Sequence, residues 1–361
     1  MTNPRGSALA RAAFLLPAGA GLVLGLAGAI ALLGLAPSWP GILAERHGWL
    51  MTLGFMGTLI ALERSVALRA WWGFLAPAGL GLGALALLAG IPGAAWLLVA
   101  GALSLCLVYV PLWNRTRDDA VLVQALGAAL LAGAALLAAR GAALADAVVW
   151  IAGFVVATIA GERLELARIA MPAGAGTVLV ALTAALAAAT GASLLWDVGY
   201  RAVGATLLAL AFWLGRHDVA RRTIRARGQA RFSAACMLAA FAWLAVAGAS
   251  WLAGPPRGAA YDAVIHAVFL GYAMSMILAH APVILPAVLR RPLPYRRAMW
   301  APAILLHAGL VVRLGMGDAA GSTAAHTIGV LLNVAALLGF VAVAVVSSSI
   351  ASLSTARKVV P

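Results

Sequence analysis

Apolar residues run along this chain in long, nearly unbroken blocks, with no strict alternation of apolar and polar positions. Blocks of that length predict helices, and a helix needs about 20 apolar residues to cross a bilayer. Twelve segments fit: residues 13–36, 47–68, 71–91, 93–113, 119–139, 142–162, 171–195, 199–215, 233–253, 261–287, 298–316 and 325–349. Main-chain polar groups in lipid have no water to bond, so they must be satisfied inside helices or a closed barrel. The prediction is an all-α polytopic membrane protein, one integral membrane domain over residues 1–361.

Composition agrees. The chain is 64% hydrophobic and 10% charged, against about 25% charged for a soluble domain. A net charge of +14 raises the question of a nucleic-acid partner, and the placement of the charge answers it. With the N-terminus inside, only Arg46, Arg140, Arg201, Arg257 and Arg313 of the 25 basic residues fall on the outer side. That is the positive-inside pattern, which places both termini in the cytoplasm. The Arg216–Arg231 loop then reads as a topology anchor, and no nucleic acid is expected. Segment one is too long for a signal-peptide core and reads as a retained span. Cys106 and Cys236 lie mid-helix in different segments and read as inert core residues.

One segment has two echoes. "GFMGTLIALERSVAL" begins at Gly54, "GFVVATIAGERLELA" at Gly153 and "GYAMSMILAHAPVIL" at Gly271. Without gaps, the aromatic residues Phe55, Phe154 and Tyr272 align, then Ile60, Ile159 and Ile277, then Glu63, Glu162 and His280. The copies occupy segments two, six and ten, which predicts three pseudo-repeats of four helices, approximately residues 1–113, 119–215 and 233–361. The adjacent pairs Glu63-Arg64 and Glu162-Arg163 recur at the inner ends of related helices and read as ion pairs that lock those ends to neighbours.

Ionisable groups inside spans are rare and costly, so the histidines are functional candidates. His217 opens a basic loop and reads as solvated. His47 stands at the outer end of segment two, His266 about one turn below the outer end of segment ten, and His326 at the outer end of segment twelve. His307 is near mid-membrane, and His280 lies 14 residues beyond His266, about 21 Å deeper. At 100° per residue, His266 and His280 fall within about 40° of each other, and Glu63 lies about 160° around from His47. A neutral imidazole in lipid needs a partner. Haem iron or a transition metal is one; capping or helix–helix hydrogen bonding is another, and a proton or anion pathway a third. His47 and His266 share a depth on repeat-related helices, which makes them candidate axial ligands of one haem. Arg313 is a candidate partner for a haem propionate, or simply a cation reaching outward.

On these residues the sequence resembles the NnrS family of bacterial haem- and copper-containing membrane proteins, linked to nitric oxide metabolism. "HGWLMTLGF" (His47–Phe55) is similar to the start of that family's second helix. "HAVFLGYAMSMI" (His266–Ile277) is similar to its later His-Ala…Gly…Met motif, and "RRPLPYRRAMWAPAILLHAGLVVRL" (Arg290–Leu314) to the basic loop and helix that follow. A more distant likeness is to the catalytic subunit of haem–copper oxidases and nitric oxide reductases. The resemblance implies haem b on His47 and His266 with Arg313 nearby. It also implies a second metal site, copper or another haem, drawing on His307, His326 and His280, in a bacterial cytoplasmic membrane. The chain departs from the pattern where Gly48, Trp49 and Leu50 follow His47, since the family usually has a second histidine there. Segments six and seven hold no histidine, so the three-histidine copper site of the oxidases has no candidates, and whether the chain is an enzyme stays open.

Three functions fit the sequence. The first is an NnrS-like haem protein handling nitric oxide or nitrosative stress, or passing electrons to a redox partner. The second is a small-molecule transporter without a cofactor, gated by Glu63-Arg64, Glu162-Arg163 and His280. The third is an assembly subunit that handles metal or haem.

Overall fold

Deprived of water, the main chain of each apolar block closes its hydrogen bonds locally, and the computed structural model, which describes residues 13–359, shows the result. Among the described residues, twelve helices are long and apolar enough to span a membrane, and there is no strand. They are α1 (Leu15–Leu32), α2 (Gly41–Leu68), α3 (Trp71–Leu88), α4 (Ala94–Thr116), α5 (Asp119–Ala139), α6 (Leu144–Ala170), α7 (Ala175–Ala192), α8 (Asp197–His217), α9 (Gly228–Leu252), α10 (Ala259–Val288), α11 (Arg297–Ala319) and α12 (Thr323–Ser352). The protein is a multi-pass membrane protein. α2 starts earlier than hydropathy suggests: extended Pro40 precedes it and the helix begins at Gly41, so His47 stands almost two turns inside its end.

The chain divides into two compact units. One holds α1–α5, α6 through Leu166, and α7; the other holds residues Ala167–Ala173 and everything from Leu195 on, including α8–α12.

Helix ends follow from charge and backbone geometry. Asp118 caps α5 by accepting the Ala120 N–H at 3.0 Å. Arg69, Arg117 and Arg290 close their helices in the left-handed region, at φ 63, 51 and 53°. That conformation costs a side-chain-bearing residue about 1 kcal/mol. At the end of α2 a cation does meet an unpaired carbonyl: Arg115 Nη2 of α4 donates to Leu68 O at 2.9 Å.

Within each unit, glycines set how closely helices approach. A Cβ on Gly101 of α4 would lie 2.6 Å from Leu80 N of α3, and one on Gly79 would lie 2.6 Å from Gly101 Cα. Gly101→Val should therefore lower stability by about 1–3 kcal/mol, read as an earlier thermal transition in tryptophan fluorescence. Gly191→Val, where a Cβ meets nothing within 4 Å, should leave the transition in place.

Three stretches depart from α-helix. Leu50–Gly57 in α2, Ala267–Met274 in α10 and Val311–Ala319 in α11 are π-helical. A π turn bonds i to i+5, so it holds an extra residue and shifts everything beyond it around the axis. All eight residues of each of the first two stretches are buried. The two also coincide residue for residue in the register that aligns Gly54 with Gly271, since 267 − 50 and 274 − 57 both equal 217, as does 271 − 54. α6, the third sequence echo, is α-helical at the corresponding point. The same register sets Val264, not His266, against His47. Angular positions counted at 100° per residue from His47 to Glu63, or from His266 to His280, run through π turns and do not hold.

Candidate functional site

The second unit gathers five ionisable side chains at the arginine-poor ends of α10, α11 and α12. On the first turns of α10, Asp262 and His266 are four residues apart and share a face. On α11, Arg313 and Asp318 are five apart, a spacing that an α-helix would splay and that the π turn brings to one side. His326 comes from the first turn of α12. Glycines let the last two helices touch: a Cβ on Gly329 would lie 2.6 Å from Arg313 N, and one on Gly317 would lie 2.7 Å from His326 Cα.

The polar geometry follows from that placement. Arg313 forks onto Asp262, Nε donating to Oδ2 at 2.8 Å and Nη2 to Oδ1 at 2.6 Å. The guanidinium is buried and does not reach outward; the carboxylate holds it. His266 donates Nδ1–H to the Asp262 carbonyl at 2.8 Å and lies 3.2 Å from its Oδ1. His326 Nδ1 pairs with Asp318 Oδ1 at 2.9 Å. Asp318 Oδ2 is buried with no hydrogen-bond partner among the described residues. One donor atom each from Asp262, Asp318 and His326 lies within 4.8 Å of the others.

The sequence candidates therefore separate. His266, Arg313 and His326 come together, joined by Asp262 and Asp318, which sequence reasoning missed. His307 does not join them: Trp243 Nε1 donates to its Nδ1 at 3.1 Å. A neutral ring that accepts at Nδ1 carries its proton on Nε2, so neither nitrogen offers a metal a lone pair in this arrangement. His280 donates Nδ1–H to the Met276 carbonyl at 2.8 Å, deeper along α10. His217 stacks on Trp213, ring centroids 5.1 Å apart. In the first unit, His47 donates Nδ1–H across to the Gly25 carbonyl of α1 at 2.6 Å. Gly28 has no Cβ to collide with the Leu43 carbonyl, and this lets α1 come close enough for that bond.

The first unit has its own ionic cluster at the arginine-rich ends of α2, α5 and α6. Arg64, its side chain 9% exposed, donates through Nη1 to Gln124 Oε1 at 2.9 Å and to Glu165 Oε2 at 3.4 Å, and through Nη2 to the neighbouring Glu63. Gln124 is wholly buried and lies against Gly161, where any side chain would strike it. Glu162 and Arg163 are buried beside this network, and Glu162 Oε1 has no hydrogen-bond partner among the described residues. The Arg64 hydrogen bonds join the ends of three helices. Gln124 and Glu165 are the partners that sequence reasoning missed.

The family model described as "Domain of unknown function (DUF8744)" matches residues 11–349. The chain belongs to the DUF8744 family. No curated protein and no solved structure matches it. The DUF8744 match takes in all five residues of the α10–α12 cluster and the whole Arg64 network.

Proposed function

We propose that this DUF8744 protein is a haem-binding protein of the bacterial cytoplasmic membrane, both termini cytoplasmic, with His47 of the first unit and His266 of the second each a candidate haem ligand. The reading draws on the resemblance to the NnrS family and places the protein in nitric oxide handling or electron transfer. One structural observation carries it. Each of these two histidines stands within three residues of an eight-residue, fully buried π stretch at matching positions in α2 and α10. Such turns concentrate at functional sites.

The local hydrogen bonds fit a ligating imidazole. Donation from Nδ1 to a main-chain carbonyl fixes the tautomer and turns Nε2 away from the carbonyl, as metal-bound histidines require. His280 makes the same bond, so the bond alone does not select a ligand; the adjoining π stretch is what favours His47 and His266. In the second unit the orientation goes one layer further, because the Asp262 that holds His266 is itself held by Arg313. That fork occupies the Arg313 side foreseen for a propionate. Haem, when bound, supplies one-electron chemistry or a seat for nitric oxide; the chain's part is to aim the rings and keep them dry.

Protein purified from a haem-replete host should show a Soret band, and split α and β bands on reduction. His47→Ala and His266→Ala should each remove or reshape the reduced α band. A colourless protein, or spectra unchanged in both variants, would sink the reading. Substrate-dependent flux in liposomes by a colourless protein would favour the cofactor-free transporter instead.

A further inference from the structure

We infer that Asp262, Asp318 and His326 form a binding site for a divalent transition-metal ion, next to His266 but using none of its atoms. The three donor atoms, two carboxylate oxygens and one imidazole nitrogen, lie within 4.8 Å of one another on three different helices. Ligands on one zinc-sized ion sit at about 2.0–2.2 Å from it and hence about 3–3.5 Å apart. The 2.9 Å between His326 Nδ1 and Asp318 Oδ1 is already near that spacing, so small side-chain rotations complete the set.

A second observation points to a ligand rather than to a chance group of acids. The Asp318 side chain is 7% exposed, and its Oδ2 is buried with no hydrogen-bond partner among the described residues. An anionic oxygen buried without a donor is costly. Arg313 Nε and Nη2 are directed to Asp262 instead. Two carboxylates against one guanidinium leave a negative charge inside the ends of the spans, and a bound cation neutralises it. Asp262 can still take part, since each carboxylate oxygen has a further lone pair beyond the one Arg313 uses.

The donors select the ion. Two oxygens and one nitrogen suit Zn²⁺ or Mn²⁺, whereas copper(I) prefers thiolate or thioether ligands and Ca²⁺ six or more oxygens. Three protein ligands leave a position for water, as in zinc sites that act on substrates. The backbone is set for binding: Gly317 and Gly329 clamp α11 to α12 around these side chains, and the π turn holds Asp318 on the same side as Arg313.

Zn²⁺ alone is the probe. Chelator-treated protein in detergent, titrated calorimetrically with ZnCl₂, should bind one ion per chain. Asp318→Asn and His326→Gln should each weaken binding at least tenfold, and Glu165→Gln, in the other unit, should leave it unchanged. Zn²⁺ should also raise the thermal transition of the wild type and not that of Asp318→Asn; His326→Gln, at a partly exposed position, guards against a folding defect in the aspartate variant. Haem content read from the Soret band should be the same in all these proteins, so failure here is distinct from failure of the haem reading. No saturable Zn²⁺ binding by the wild type, or wild-type affinity in both variants, overturns the site and means that the two carboxylates share a proton.

Discussion

Replacing Arg64 with methionine should destabilise the protein by about 3–5 kcal/mol, the cost of breaking a buried ion pair by removing one partner. Among the described residues the guanidinium donates to Gln124, Glu165 and Glu63 alike, and the other donor to Glu165 is a 3.5 Å bond from Gln124 Nε2. Without it, a wholly buried amide oxygen and two carboxylates lose their counterpart at the ends of three helices. Arg64→Lys should recover only part of the loss, because one ammonium cannot reproduce two separately directed guanidinium nitrogens. Glu165→Gln should cost less than about 1 kcal/mol, since that side chain is 49% exposed and water replaces the pair. Thermal unfolding of detergent-purified protein, followed by tryptophan fluorescence, reads all three. An Arg64→Met protein as stable as the wild type would mean that the cluster is a mobile gate rather than a lock.

The second large effect belongs to the fork between Asp262 and Arg313. In metal-free buffer, Asp262→Leu should cost about 2–3 kcal/mol, somewhat below the figure for a fully buried pair, because Asp262 is 26% exposed. Most of that is the Arg313 charge left alone in a buried position. Removing that charge as well, in Asp262→Leu/Arg313→Leu, should cost clearly less than the two single changes added together, as expected for directly coupled side chains. Additive costs in this cycle would show that the fork contributes little net energy.

How far the sequence could be read depends on which physics decides each feature. Span number and approximate limits are set by the bilayer, a constraint that acts on every residue, and they were legible. The start of α2 was not, because "GILAER" carries Glu45 and Arg46 and looks like a loop, while Pro40 in fact launches a helix. Asp262 was within reach as the carboxylate four residues before His266. Asp318 was not: five residues from Arg313 is the wrong side of an α-helix, and nothing in "VVRLGMGDA" announces a π turn. Gln124 as the partner of Arg64 is a tertiary fact, 60 residues away in the chain, that no local pattern encodes. His307 looked like a ligand until Trp243 took its nitrogen.

The π turn of α11 also says where this chain can change length. Between Arg313 and Asp318 lie four residues, among them Gly315, which is exposed and whose missing Cβ would meet nothing within 4 Å. A chain lacking that one residue would carry its arginine and aspartate four apart, the spacing that an ordinary α-helix stacks on one face. The wider turn is thus a one-residue insertion absorbed where it occurs. Deleting a residue there would cost the cluster little, whereas a deletion earlier in α11 would turn Arg313 and Asp318 together away from Asp262 and His326.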